Sequence, residues 1–245
     1  MVVKNYAKEF VKNALKTKGY AMKVYKINPC NSENDFMDIL FDKYKINLVV
    51  DVGANRGQFI DSVLKRGYSK DIVLFEPLKS EWAYLNNEFK DNALIETLNY
   101  AIGDKNVKTK INVSKNLVSS SILGITKECT NIAKSAKYIK TQDCELRKLD
   151  FFYNKFKGKN VFLKVDTQGF EEEVIKGATK TLKDVKVIIM ELSFVELYTK
   201  QKLISSMIDL MDKKGFVLYA LLPGFADELT GRMFQMDGVF VAKDV

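Results

Sequence analysis

The stretch Ile46-Asn-Leu-Val-Val-Asp-Val-Gly-Ala-Asn-Arg-Gly57 decides how this chain folds. Ile46 to Val52 is a short, nearly unbroken apolar run, the pattern of a strand buried on both faces. Gly53 and Gly57 then allow a tight turn, and Gln58 to Arg66 repeats at helical spacing until Gly67 stops it. Moving outward, the same alternation recurs. Ile72–Phe75, Leu94–Leu98, Val161–Val165 and Val187–Leu192 read as strands, and Lys79–Phe89, Phe170–Leu182 and Lys202–Lys213 as helices. Apolar strands separated by helices predict an α/β fold with a mostly parallel sheet covered on both faces. Phe216–Leu222 and Met236–Ala242 close the series with only a loop between them, so the last strand is predicted to run antiparallel. In the intervening region, Val107–Ser114 alternates like an edge strand and Glu145–Tyr153 has helical spacing.

Ahead of this lies a different pattern. Val3, Tyr6, Ala7, Phe10, Val11, Ala14 and Leu15 share one face of a helix, with Lys4, Lys8, Lys12 and Lys16 on the other. A second helix is expected over Glu33–Tyr44, capped by Asn31 or Ser32. Residues 1–45 therefore read as a small N-terminal helical extension, a lid or a packing element, and 46–245 as the main domain. The basic face of the first helix leaves contact with a membrane surface open.

Composition removes whole classes of function. With 245 residues, 47% of them hydrophobic and 29% charged, the chain can bury one sizeable core. It contains no histidine, which excludes a histidine base, a Ser-His-Asp triad and histidine-ligated metals. Its three cysteines, Cys30, Cys129 and Cys144, are scattered and odd in number, so neither a disulfide framework nor a zinc site is expected. No run approaches the ~20 apolar residues of a membrane span. The lysine-broken N-terminus does not resemble a secretory signal, and the expected location is cytoplasmic. The formal net charge of +8 suits anionic partners without naming one.

The loop at Asp51–Gly57 opens a helix at the carboxyl end of a strand, where open sheets bind ligands. A dinucleotide loop would need glycines where Asn55 and Gln58 stand, and the G-K-S/T of a phosphate loop is absent. S-adenosylmethionine (SAM) carries no phosphate and tolerates Asn and Gln at those positions. Glu76, 23 residues past Gly53, ends the next strand in Phe75-Glu76-Pro77 and can accept from both hydroxyls of a ribose. The third strand runs into Asn99-Tyr100-Ala101-Ile102-Gly103-Asp104, whose small and apolar groups can bracket an adenine. The expected cofactor set is Asp51, Gly53, Ala54, Asn55, Gly57, Gln58, Glu76, Pro77, Tyr100, Ala101, Ile102 and Asp166.

Taken together, D-V-G-A-N-R-G, F-E-P, N-Y-A-I-G-D and Leu163-Lys-Val-Asp-Thr-Gln-Gly-Phe-Glu171, with Gly177-Ala178 following, resemble the FkbM-type family of class I SAM-dependent methyltransferases over residues 45–243. The resemblance implies a Rossmann-like seven-stranded sheet with its last strand antiparallel. It also implies methyl transfer to a hydroxyl, on a sugar of a surface polysaccharide, on a glycolipid or on a natural product. Which acceptor is used is left open.

Displacement at a sulfonium methyl needs an aligned acceptor oxygen and a group to take its proton. Without histidine, Asp166 at the tip of the fourth strand is the first candidate base, by itself or through a bound metal or water. Glu191 on the neighbouring strand is the second and Glu171, opening the next helix, the third; a shared divalent ion is conceivable but not indicated. Gly169 is expected to let the backbone approach a ligand. Ser119, Ser120, Ser121, Gln168, Tyr198 and Arg232 are weaker candidates for holding the acceptor. Three rival readings follow from the same residues: a ribose 2′-O-methyltransferase acting on RNA, a non-catalytic SAM-binding protein and, least favoured, a dehydrogenase. The lack of a nucleic-acid-binding module argues against RNA.

Overall fold

A computed structural model describes residues 33–227 and 230–243. The expected helix at 3–15, the capping residues Asn31 and Ser32, and Cys30 lie outside these residues. Helix α1 (Glu33–Lys43) leads into β1 (Leu48–Val52), α2 (Gln58–Lys65), β2 (Asp71–Phe75), α3 (Lys79–Glu88) and β3 (Ile95–Leu98). The chain then forms β4 (Ala101–Ile102), β5 (Val107–Ser114), α4 (Lys127–Ile132) and β6 (Tyr138–Arg147). It returns through β7 (Val161–Val165), α5 (Glu171–Lys176), β8 (Val185–Ser193), α6 (Ile204–Lys213), β9 (Phe216–Pro223) and β10 (Gln235–Ala242).

Seven strands form one sheet in the order β3-β2-β1-β7-β8-β10-β9. The first five run parallel, and β10 is antiparallel to both of its neighbours. This last strand is thus inserted between β8 and β9. Every residue of β1 is buried, as a central parallel strand with helices on both faces requires. One face packs Val50, Phe75, Leu163 and Ile188 against α5 and α6 residues such as Val174 and Met207. The other packs Val49, Leu74 and Phe162 against Ile60, Leu85 and the Met37 and Leu40 of α1. Helix α1 therefore shares the core of the sheet.

Two sequence expectations need correction. Residues 145–147 belong to strand β6, and Leu149–Lys155 is a 3-10 helix. Leu146, Leu149 and Phe152 are all buried, and their threefold spacing, natural to a 3-10 turn, imitates half of an α-helical pattern. The helix expected over 170–182 ends at Lys176. At Gly177 a Cβ would sit 1.9 Å from the Gly103 carbonyl oxygen, so this chain crossing breaks the helix and only glycine fits there. Strands β4, β6 and β5 make a second, three-stranded sheet in that order, with β5 at its edge.

Candidate active site

A cavity of about 370 Å³ opens at the carboxyl ends of β1, β2 and β7. Its floor is the turn after β1. Gly53 has a φ of +87°, and a Cβ there would lie 1.9 Å from the Asp166 carbonyl oxygen, so the turns after β1 and β7 touch only because residue 53 lacks a side chain. Gly57, also left-handed, lets α2 start close against Leu85 and Phe89 and does not line the cavity. Arg56 ties the turn to α3 through a 2.7 Å ion pair with the buried Glu81.

Glu76 is 4% exposed yet lines the cavity. Its Oε2 accepts from the Asn55 N–H and its Oε1 from the Leu78 N–H, both at 2.8 Å. These bonds fix the carboxylate across the turn and leave each oxygen room for a further donor. Burial nevertheless pushes the Glu76 carboxyl up to about 7, against the pull of the two N–H groups. Pro77, Leu78, Tyr100, Ala101 and Ile102 continue the wall, with Ala54, Asn55 and Gln58 opposite. Ile111 of β5 and the loop after that strand, with Leu117, Val118, Ser120, Ser121 and Ile122, close the top.

Asp166 stands at the other end of the cavity with its side chain 38% exposed. Its Oδ1 accepts from Gln168 Nε2 at 2.9 Å, and Lys164 Nζ approaches its Oδ2 at 3.3 Å. Lys164 also faces Asp51 Oδ1 at 3.5 Å and lies over the Phe59 ring. Burial opposes the Lys164 charge, but Asp51 and Asp166 outweigh it and hold the ammonium above its ordinary pKa. Asp51 itself is fully buried beneath the cavity, and that burial raises its carboxyl despite the lysine. Lys164 was not singled out from sequence. The available signal was a lysine set between Leu163 and Val165 in an otherwise apolar strand; its pairing in register with Asp51 is visible only in the fold.

Glu191 lies behind Asp166, accepting from Gln168 Nε2 at 3.3 Å and from Gln235 Nε2. Burial, and then the charges of Asp166, Glu171 and Asp237, push its carboxyl well above the ordinary range. Glu171 does not line the cavity: its Oε1 accepts from the N–H groups of Thr167 (2.9 Å) and Gly169 (3.2 Å) and so holds the loop after β7. Burial raises its carboxyl to about 7. Gly169 is approached by Tyr198, whose Cβ is 2.8 Å from a Cβ built at Gly169, rather than by the cavity. Ser120, Ser121 and Gln168 reach the cavity, whereas Ser119, Tyr198 and Arg232 do not. Arg232 lies against Glu128 and the Phe234 ring. Among the described residues, no group of three or more cysteines and carboxylates is arranged to hold a metal ion. Nor is any described helix long and apolar enough to cross a membrane.

Comparison with solved structures finds the methyltransferase domain of bacterial CtHen1-CN, 13% identical with a TM-score of 0.47, over 88% of this chain and 100% of that one. An rRNA methylase from Streptococcus thermophilus is 9% identical with a TM-score of 0.47, over 89% of this chain and 99% of that one. The O-methyltransferase NcsB1 from neocarzinostatin biosynthesis, solved with SAM and 2-hydroxy-5-methyl naphthoic acid, is 8% identical with a TM-score of 0.42, over 85% and 55% of the two chains. None of the curated proteins matches the sequence. The family profile described as Methyltransferase FkbM domain matches residues 51–218. That span begins at Asp51, takes in every residue that lines the cavity, and runs into β9; the chain belongs to the FkbM methyltransferase family.

Proposed function

We propose that this protein is a SAM-dependent O-methyltransferase whose acceptor is a hydroxyl on a sugar of a surface polysaccharide, on a glycolipid or on a natural product. The donor set fits the cofactor. Glu76 offers a carboxylate with an open position on each oxygen for two ribose hydroxyls, and Ala101 and Ile102 give apolar walls for a purine. The turn at Gly53–Asn55 and the α2 N-terminus receive the amino-acid end. When bound, SAM supplies an electrophilic methyl group on a sulfonium.

The observation that carries the reading is Asp166: a half-exposed carboxylate in the cavity wall, with a donor on each oxygen and room for an acceptor hydroxyl. In this role Asp166 aligns the hydroxyl and takes its proton as the new C–O bond forms. Lys164 and Gln168 keep the carboxylate in one orientation, and Glu171 holds the loop that carries it. Glu191 supports Gln168 from behind. The free thiols of Cys129 and Cys144 suit a reducing, cytoplasmic setting.

Calorimetric and thermal-shift titrations with SAM and with NAD test the cofactor, and a hydroxyl-acceptor screen reading S-adenosylhomocysteine tests the reaction. SAM binding that survives in Asp166→Asn, with turnover lost by about 100-fold or more, is the expected result. Full activity in Asp166→Asn removes the proposed base. Preference for NAD removes the cofactor assignment.

A further inference from the structure

We infer that Tyr198 is a positioning residue for Asp166 and acts through the side-chain amide of Gln168. The inference rests on the reading of Asp166 as the proton acceptor. From sequence, Tyr198 and Gln168 were expected to meet the acceptor. The structure turns the tyrosine away from the cavity and onto the glutamine.

Gln168 is held from several directions. Its backbone is left-handed, with φ +57°, a conformation that costs a non-glycine residue and persists where neighbours over-determine it. The Ser121 hydroxyl donates to its carbonyl oxygen at 2.7 Å. The amides on either side of it, Thr167 and Gly169, are both bound by Glu171 Oε1. This leaves the side chain as the one part with a choice to make.

That choice is which way round the amide sits. Nε2 has two protons, one directed at Asp166 Oδ1 (2.9 Å) and the other at Glu191 Oε2 (3.3 Å). Reversed, the amide would set its own oxygen 2.9 Å from a carboxylate oxygen with no proton between them. The Tyr198 hydroxyl favours the correct orientation, because it donates to Gln168 Oε1, the nearer of its two acceptors, the Ser119 carbonyl oxygen lying at 3.4 Å. Tyr198 is 2% exposed, and burial raises its pKa, so the phenol stays a donor at any working pH. Its ring reaches this depth because Gly169 has no side chain. With that donor removed, Gln168 Oε1 is left unsatisfied, and the correct orientation keeps only its bonds to Asp166 and Glu191, so the amide is held less firmly.

The test uses the full chain without ligand. The side-chain amide signals of Gln168 are identified in ¹⁵N NMR by their loss in Gln168→Met. Wild type is expected to show two resolved, exchange-protected signals. Tyr198→Phe, which keeps the ring, is expected to shift both and speed their exchange at least about tenfold with SAM affinity unchanged. On whichever hydroxyl acceptor the screen supplies, Tyr198→Phe lowers kcat about tenfold at constant KM for SAM, and costs nothing more in the Gln168→Met background. Unaltered Gln168 signals in Tyr198→Phe overturn the inference, as do losses from the two substitutions that simply multiply. A chain that fails to bind SAM defeats the proposed function, while the NMR comparison still decides the relay.

Discussion

Glu76 is subject to two opposed effects. Two backbone N–H groups favour its charged form, and burial favours the neutral one. Burial wins, and the carboxyl titrates near 7 rather than at its ordinary 4.5. Between those pH values the folded chain binds more protons than the unfolded chain, so stability falls as pH rises through that window and levels off above it. Glu171, raised by the same cause to about 7, adds to the fall. Urea unfolding of the unliganded protein should therefore give a larger free energy at pH 5 than at pH 8, by about 2 kcal/mol or more. A stability that rises across this range would show that the two carboxyls stay charged in the fold. Binding has the opposite slope, because ribose hydroxyls donate best to an ionised carboxylate. SAM affinity should increase from pH 6 to pH 8, and the increase should vanish in Glu76→Gln. At this scale the sequence was informative where position carries chemistry: Glu76 and Asp166 end strands at the sheet's ligand-binding edge. It was uninformative where a role depends on a partner remote in the chain. Lys164 acquires its role from Asp51 across the β1–β7 register, and Tyr198 from Gln168, 30 residues away.

The turns after β1 and β7 are one unit, and Gly53 is the contact between them. Two demands act on that glycine, a left-handed backbone and the 1.9 Å approach to the Asp166 carbonyl oxygen. Gly67 at the end of α2 separates them. It has a similar φ of +82°, but nothing lies within 4 Å of a Cβ built on it. Gly67→Ala should cost about 1 kcal/mol, the backbone penalty alone. Gly53→Ala should cost about 3 kcal/mol or more, since the two strand ends must part as well, and should abolish SAM binding. Equal losses in the two variants, measured by urea denaturation, would mean that the β1–β7 contact relaxes freely. Elements with a buried, repetitive pattern were legible from sequence, and β5 begins and ends at the expected residues. Strand β6 was missed because its sheet buries little of it: Ile139, Lys140 and Thr141 are all exposed, so no apolar run marks it. The early end of α5 at Gly177 follows from the closeness of Gly103, 74 residues earlier in the chain, which local periodicity does not encode.

At the scale of the whole molecule, the alternation of strands and helices gave the layered sheet, but the strand order depends on contacts no local pattern records. The insertion of β10 beside β8 brings Gln235 to Glu191 and so builds the back of the site. The second sheet, barely visible in the sequence, carries the loop that builds its top. Asn112 holds the carbonyls of Ser121, Ile122 and Leu123, and Ser121 reaches across to Gln168, so the segment that carries Leu117, Val118 and Ile122 is braced against the β7 loop. A ligand seated in this cavity touches two sheets, and binding should order both faces at once. At 100 times its Kd, SAM should stabilise the fold by about 2.7 kcal/mol. For a chain of 245 residues this corresponds to a melting shift of about 5–10 °C, with NAD giving none. Hydrogen exchange should locate the effect. Amides at 53–58, at Glu76 and Leu78, and at 117–122 should slow at least about tenfold, and those of α6 and β9 should stay as they were. Protection confined to 53–58, Glu76 and Leu78 would place the loop after β5 outside the cofactor's enclosure. Its apolar residues would then belong to the path by which the acceptor reaches Asp166.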